Sequence, residues 1–184
     1  IEVAAQANQA MNLSDTKKIT SAIYACHNGV FKLSKAIEGL VETSSSLARI
    51  IVKDGEFITQ SLQRSSLESG KYDVANTIAA PFHLMGCDVV QKGDYPGWAP
   101  NPTSAILDVL VAKYKELFDN EEPKVMAIHA GLECGLLGER YPGLDMISFG
   151  PTIKGAHSPD ERCGIKSTAK FWLFLKEILA NVPK

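Results

Sequence analysis

The stretch Tyr95-Pro96-Gly97-Trp98-Ala99-Pro100-Asn101-Pro102 constrains the chain more than any other. Its three prolines within seven residues remove backbone donors and fix φ, so neither a helix nor a central strand can pass through. Asn101 or Thr103 can then cap whatever follows. The expected organisation is two parts, residues 1–98 and 99–184.

The first part reads as α+β. Residues 1–12 are rich in Ala, Gln and Asn and lack a period, as in a helical end or a disordered one. Ser14 is placed to cap a helix carrying Ile19, Ala22, Ile23 and Cys26, which stops at Asn28-Gly29. Short β-like runs follow at Gly39–Ser46, Leu47–Val52 and Glu56–Arg64, the last two joined by a hairpin turn at Lys53-Asp54-Gly55. Tyr72, Ala75, Ile78, Ala79 and Phe82 restore the helical period, with Pro81 expected to end the helix early and Gly86 a candidate for the left-handed residue after it. Cys87–Gln91 reads as another strand. Together these make most of a ferredoxin-like layer, two helices on one face of an antiparallel sheet, with its first strand expected upstream.

The second part alternates in the α/β manner. Ile106, Leu107, Leu110, Val111, Tyr114, Leu117 and Phe118 define a helix, Lys124–Ile128 a strand, Leu132–Leu137 a short helix and Met146–Phe149 a second strand. A final helix, Ser167–Asn181, is expected to bury Phe171, Trp172, Leu175, Ile178 and Leu179 before Pro183. Two strands with three helices leave exposed edges, so this part is expected to need further strands of the same polypeptide.

Charge excludes several partners. The net charge is −2 and the basic residues are dispersed, which gives no electrostatic reason to bind nucleic acid or an anionic membrane. No run of about 18 apolar residues exists to span a bilayer, and the start IEVAAQANQAMN has no basic-then-apolar order. A chain opening without Met is expected to be a trimmed piece of a longer protein. Cys26, Cys87, Cys134 and Cys163 form no CxxC pair, as expected of reduced, mostly buried thiols in the cytoplasm.

The chemistry centres on Ser148–Arg162, SFGPTIKGAHSPDER, which reads as the loop leaving a buried strand. His157 stands among Gly155, Pro151 and Pro159, with Ser158, Asp160 and Glu161 at hand to orient its imidazole. One histidine is not a metal site, because zinc takes about three or four protein ligands. A packing or surface histidine is the alternative. GPTIKGAH is also no phosphate loop, since Ala156 and His157 stand where Lys and Ser/Thr are required.

Two blocks, HAGLECG at His129–Gly135 and GPTIKGAHSPDE at Gly150–Glu161, closely resemble the C-terminal catalytic segment of aminoacyl-histidine dipeptidases. These are the peptidase D or carnosinase-like enzymes of the co-catalytic zinc aminoacylase/carboxypeptidase superfamily. Weaker similarity runs through YPGWAPN, QRSS around Arg64 and GLVETSSSL at Gly39–Leu47. The resemblance implies a ferredoxin-like lid and dimerisation domain in residues 1–98 and the C-terminal part of a zinc-peptidase α/β catalytic domain in residues 99–184. It implies that His157 is one ligand of a two-zinc centre, Mn or Co being the other metals such ligands take. Arg64 would grip the substrate's terminal carboxylate, and Glu133 would accept its α-ammonium. The alternatives are a solvated strand-end arginine and a glutamate at a helix N-terminus. His129 reads as structural or as support for such a site. The family's HxD motif, bridging aspartate and general-base Glu-Glu pair belong to its N-terminal half, so no catalytic group is expected in this chain, which by itself would be inactive. The implied function is dipeptide hydrolysis, with Xaa-His preferred, by a cytoplasmic homodimer joined through the lid. A lid-mediated interaction module, or a related tripeptidase or deacylase, are the competing readings.

Overall fold

The computed structural model describes residues 10–129 and 132–182. The element order is α1 (Leu13–Ala25), β1 (Gly29–Leu33), β2 (Val41–Lys53), β3 (Glu56–Ser65), α2 (Glu68–Leu84), α3 (Ala105–Leu117), α4 (Glu133–Arg140), β4 (Ile153–Lys154), β5 (Arg162–Cys163) and α5 (Ile165–Ala180). This is a mixed α/β chain with one small antiparallel sheet, β1-β2-β3, and a β4-β5 hairpin. It divides into two compact units, Ile1–Gly97 with Ile128–Gly131, and Trp98–Ala127 with Leu132–Lys184.

In the first unit the β2–β3 hairpin turns at Asp54-Gly55, both at positive φ (53° and 81°), between paired Lys53 and Glu56. That is the geometry a two-residue hairpin loop needs, and Asp-Gly adopts it cheaply. The runs expected as two strands at Gly39–Ser46 and Leu47–Val52 are one strand, β2, with an irregularity between Leu47 and Arg49. Helix α2 crosses the sheet at Gly70, where a Cβ would stand 2.8 Å from Thr43 Oγ1 and 2.9 Å from Ser65 Oγ. Those two hydroxyls are buried and 2.8 Å apart. The core between helices and sheet is Ala22, Val74, Ile78 and Phe82, with Phe31 and Phe57 packed against it.

Local signals explain most helix ends. Asn12, not Ser14, caps α1, its Oδ1 accepting from the Asp15 amide at 2.8 Å. Helix α2 runs through Pro81 to Leu84, because buried Phe82 fixes its last turn on the core. It then ends in a Schellman motif: Gly86 at φ 78° donates to His83 O and Cys87 donates to Phe82 O, each at 3.0 Å. Asn28 is no helix cap; its Oδ1 takes the Leu47 amide at 2.8 Å. Lys71 is nearly buried and ties residues 94–95 to α2, donating to Tyr95 O at 2.9 Å and pairing with Glu68 at 2.7 Å and with Asp94. Burial pulls its pKa down, but hydrogen bonds to Asp94 and Glu68 more than offset this and hold it above the ordinary lysine value.

In the second unit Ser104 caps α3, accepting from the Leu107 amide at 3.1 Å. Its hydroxyl donates to Asp145 at 2.9 Å, and Asp145 also receives Asn101 Nδ2 and the Ile106 amide. The core joins Leu110 of α3 to Phe174 and Ile178 of α5. Tyr114, Phe118 and Phe174 pack edge-on or tilted around it, and Lys170 caps this cluster, 4.2 Å from the Phe118 ring centre and 2.6 Å from Tyr114 Oη.

Three expected strands are not strands. Cys87–Gln91, Lys124–Ile128 and Met146–Phe149 have no ladder partner among the described residues, and a β-like sequence becomes a strand only when another pairs with it. Helix α5 likewise buries one face: Trp172 and Leu179, expected inside, are 59% and 65% exposed, because the groups packed on it among the described residues, α3 with Ile147 and Phe149, meet its other face. Three of the four cysteines are half-buried, Cys163 is exposed, and all are free. No helix among the described residues is long and apolar enough to cross a membrane. The helical or disordered end expected at residues 1–12 lies mostly outside the described residues.

Gly70→Ala is expected to destabilise the first unit by about 1–3 kcal/mol, overpacking against two hydrogen-bonded hydroxyls outweighing the better helix propensity of Ala. A denaturant midpoint raised by the substitution would show that the helix can lift away at no cost.

Candidate functional site

The second unit presents His157 on the loop between β4 and β5. Pairing of Ile153 with Cys163 and of Lys154 with Arg162 closes residues 155–161 into a hairpin loop. Gly155 (φ 65°) is required there, since a Cβ would meet Asp160 O and Ser158 Oγ at 3.1 Å. Ser158 Oγ donates to Gly155 O at 2.7 Å and receives the Asp160 amide at 3.3 Å. His157 itself has φ 64°, left-handed backbone that costs a non-glycine residue on the order of 1 kcal/mol or more. The Glu161 carboxylate holds it by accepting the His157 amide at 2.9 Å.

This corrects one expectation. The Ser158 and Glu161 side chains brace the loop backbone, Asp160 taking part only through its amide, and no hydrogen bond from a described residue reaches the His157 ring, which is exposed. The loop spends its polar groups on presenting the imidazole, and leaves both ring nitrogens open to a ligand. Such a histidine fits one position around a metal ion. Among the described residues no three of His, Cys, Asp or Glu converge as a metal-holding group.

Glu133 opens α4, where an acidic side chain complements the positive end of the helix, and its carboxylate is exposed. The consecutive Glu121 and Glu122 are ion-paired with Lys170 at 2.9 Å and Lys115 at 2.6 Å and are occupied structurally.

The first unit holds Arg64 at the end of β3, paired directly with Ser44 of β2. Directly paired residues point to the same face of a sheet. Thr43 and Ser65, the next pair, turn toward α2 at Gly70, so Ser44 and Arg64 turn away from it. Ser44 Oγ lies 2.8 Å from His129 Nε2. The imidazole therefore sits on the face that carries Arg64. Burial first, and the neighbouring Arg64 charge second, push the His129 pKa below the ordinary histidine value. Sequence reading gave Arg64 and Glu133 as substrate residues but placed His129 only in a supporting role, and it did not single out Ser44. The HAGLECG turn includes residues 130–131, which are outside the described residues.

His129 is expected to leave a mark on stability. With its folded pKa depressed, the unfolded chain binds the proton first as pH falls through roughly 6.5, the ordinary histidine value. Stability should decline below that pH, and His129→Gln should flatten the decline; a pH profile of the denaturation midpoint identical in both proteins would contradict this.

No family model matches the chain. The cytosol non-specific dipeptidase of Escherichia coli (strain K12) is 40% identical over 159 residues, which cover 86% of this chain and 33% of that protein. The crystal structure of aminoacylhistidine dipeptidase from Vibrio alginolyticus superposes with a TM-score of 0.85 at 37% identity, over 98% of this chain and 37% of that one. The chain thus spans about a third of the length of the relatives it matches. By sequence and by fold it is a homologue of one segment of the aminoacylhistidine and cytosol non-specific dipeptidases.

Proposed function

We propose that this chain is the C-terminal part of a zinc-dependent dipeptidase that hydrolyses short peptides with a free carboxylate, Xaa-His dipeptides such as β-alanyl-histidine among them. The observation that carries the reading is His157, held in left-handed backbone by the Gly155–Glu161 loop with its ring unengaged, in a chain homologous to dipeptidases. His157 supplies one neutral imidazole nitrogen to a metal centre whose other ligands come from outside this chain; manganese or cobalt would accept the same donor. A bound zinc there would contribute Lewis-acid polarisation of the scissile carbonyl and an acidified water. Arg64 holds the terminal carboxylate with its planar fork, and Glu133 receives the α-ammonium at the mouth of α4. The general base is not in this chain, so the chain alone is inactive.

Residues 1–98 act in this reading as the lid, and the protein is a cytoplasmic homodimer joined through its sheet. The β3 edge strand supports this, since it leaves Ile58 and Leu62 exposed, 42% and 52%, and its outer edge has no strand partner among the described residues. Sedimentation of the full-length protein should give a dimer; a monomer at working concentration would remove the dimer from the account.

The decisive test is hydrolysis of β-alanyl-histidine by the full-length protein, with and without chelator, beside His157→Ala. Chelator-sensitive turnover that falls about 100-fold or more in the variant is expected, since loss of a ligand should cost at least as much as the roughly 10- to 100-fold lost with the groups that only support one. Undiminished turnover in His157→Ala would overturn the ligand assignment, and no turnover by the parent protein would overturn the dipeptidase reading.

A further inference from the structure

The face of the β1-β2-β3 sheet turned away from α2 carries an arrangement that a purely structural role for His129 does not explain. Ser44 and Arg64 stand side by side across β2 and β3, and the imidazole of His129, 85 residues along the chain from Ser44, closes on the Ser44 hydroxyl at 2.8 Å. No carboxylate pairs with Arg64 among the described residues, although lysines all along the chain find acidic partners. The cluster therefore combines a guanidinium without a counter-charge and an imidazole whose Nε2 is engaged. When Nε2 accepts the Ser44 proton, the imidazole proton resides on Nδ1 and is available to donate. Both groups then offer donors and neither offers an acceptor, which is the chemistry that recognises a small planar anion. A neutral imidazole also suits this place, because a second fixed cation would be repelled by Arg64.

We propose that His129, oriented by Ser44, is a specificity-determining residue that reads the terminal carboxylate of the substrate together with Arg64. The inference rests on the dipeptidase reading above and adds to it a second carboxylate donor. A guanidinium alone grips any anion within reach. A second donor fixed on a different chain segment orients the carboxylate and distinguishes it from a neutral group of the same shape. Ser44 is a positioning residue in this scheme, acting through the imidazole tautomer.

The test compares the full-length enzyme on β-alanyl-histidine and on the same dipeptide with its carboxylate converted to the amide, as the ratio of kcat/KM values. In His129→Ala the free acid should lose about 10- to 100-fold, mostly through KM, the size expected when one hydrogen bond to a charged group is removed. The amide should change by less than about 3-fold, so the acid-to-amide ratio collapses. Ser44→Ala, which keeps the imidazole in place, should lower the ratio in the same direction by a smaller factor and provides the reading if His129→Ala does not fold. Equal losses on acid and amide, or an unchanged ratio in both variants, would overturn the proposal while leaving the dipeptidase reading intact. Absence of hydrolysis of either compound by the parent enzyme would sink both.

Discussion

The close approach of α2 to the sheet at Gly70 sets which side of the β2–β3 ladder faces the core. Thr43 and Ser65 are opposed in register and buried under that helix. Because side chains alternate along a strand, the neighbouring pair Ser44 and Arg64 must then face the other way. A slip of one residue would turn Arg64 toward α2 and expose Thr43. The position of the proposed carboxylate clamp thus follows from a packing contact on the opposite side of the sheet. Gly97 reinforces the same point of the structure, since a Cβ there would come within 2.6 Å of Ser65 O. The proline-flanked segment lies close against the strand end that bears Arg64, and Lys71 holds residues 94–95 to α2 nearby.

The second unit uses a different device. Its core is a few aromatic and aliphatic contacts between α3 and α5, with Ser104 and Asp145 tying the start of α3 to the segment before Met146. On this frame the β4–β5 hairpin holds a loop whose Ser158 and Glu161 side chains serve the backbone. The result is one histidine in a strained conformation with an unspent ring. Strain of this kind is retained where surrounding contacts overdetermine it, here Gly155, Ser158 and Glu161.

Features governed by neighbours in sequence were legible before the structure. The Asp54-Gly55 turn, the Gly86 helix end, the helices and the prominence of the His157 loop all rest on local chemistry. What depended on distant partners was not. Cys87–Gln91, Lys124–Ile128 and Met146–Phe149 have strand-like composition but lack a pairing strand among the described residues, and composition cannot supply one. The periodicity of α5 marked an apolar helix but not which face α3 would cover, so Trp172 and Leu179 were misplaced. Pro81 signalled an early stop that the burial of Phe82 overrode. At the candidate site, Arg64 and Glu133 were named through a family resemblance, while the Ser44–His129 contact joins residues whose separation hides it from any local pattern.

The central claim, that the His157 loop exists to present a metal ligand, is tested most directly by a crystal structure of the full-length protein grown with zinc, with anomalous scattering recorded at the zinc edge. The account predicts an anomalous peak with a His157 ring nitrogen about 2.0–2.1 Å away, the loop otherwise unchanged. A complete metal centre with the His157 ring turned away from it would contradict the account, and the left-handed backbone of that loop would then need another explanation.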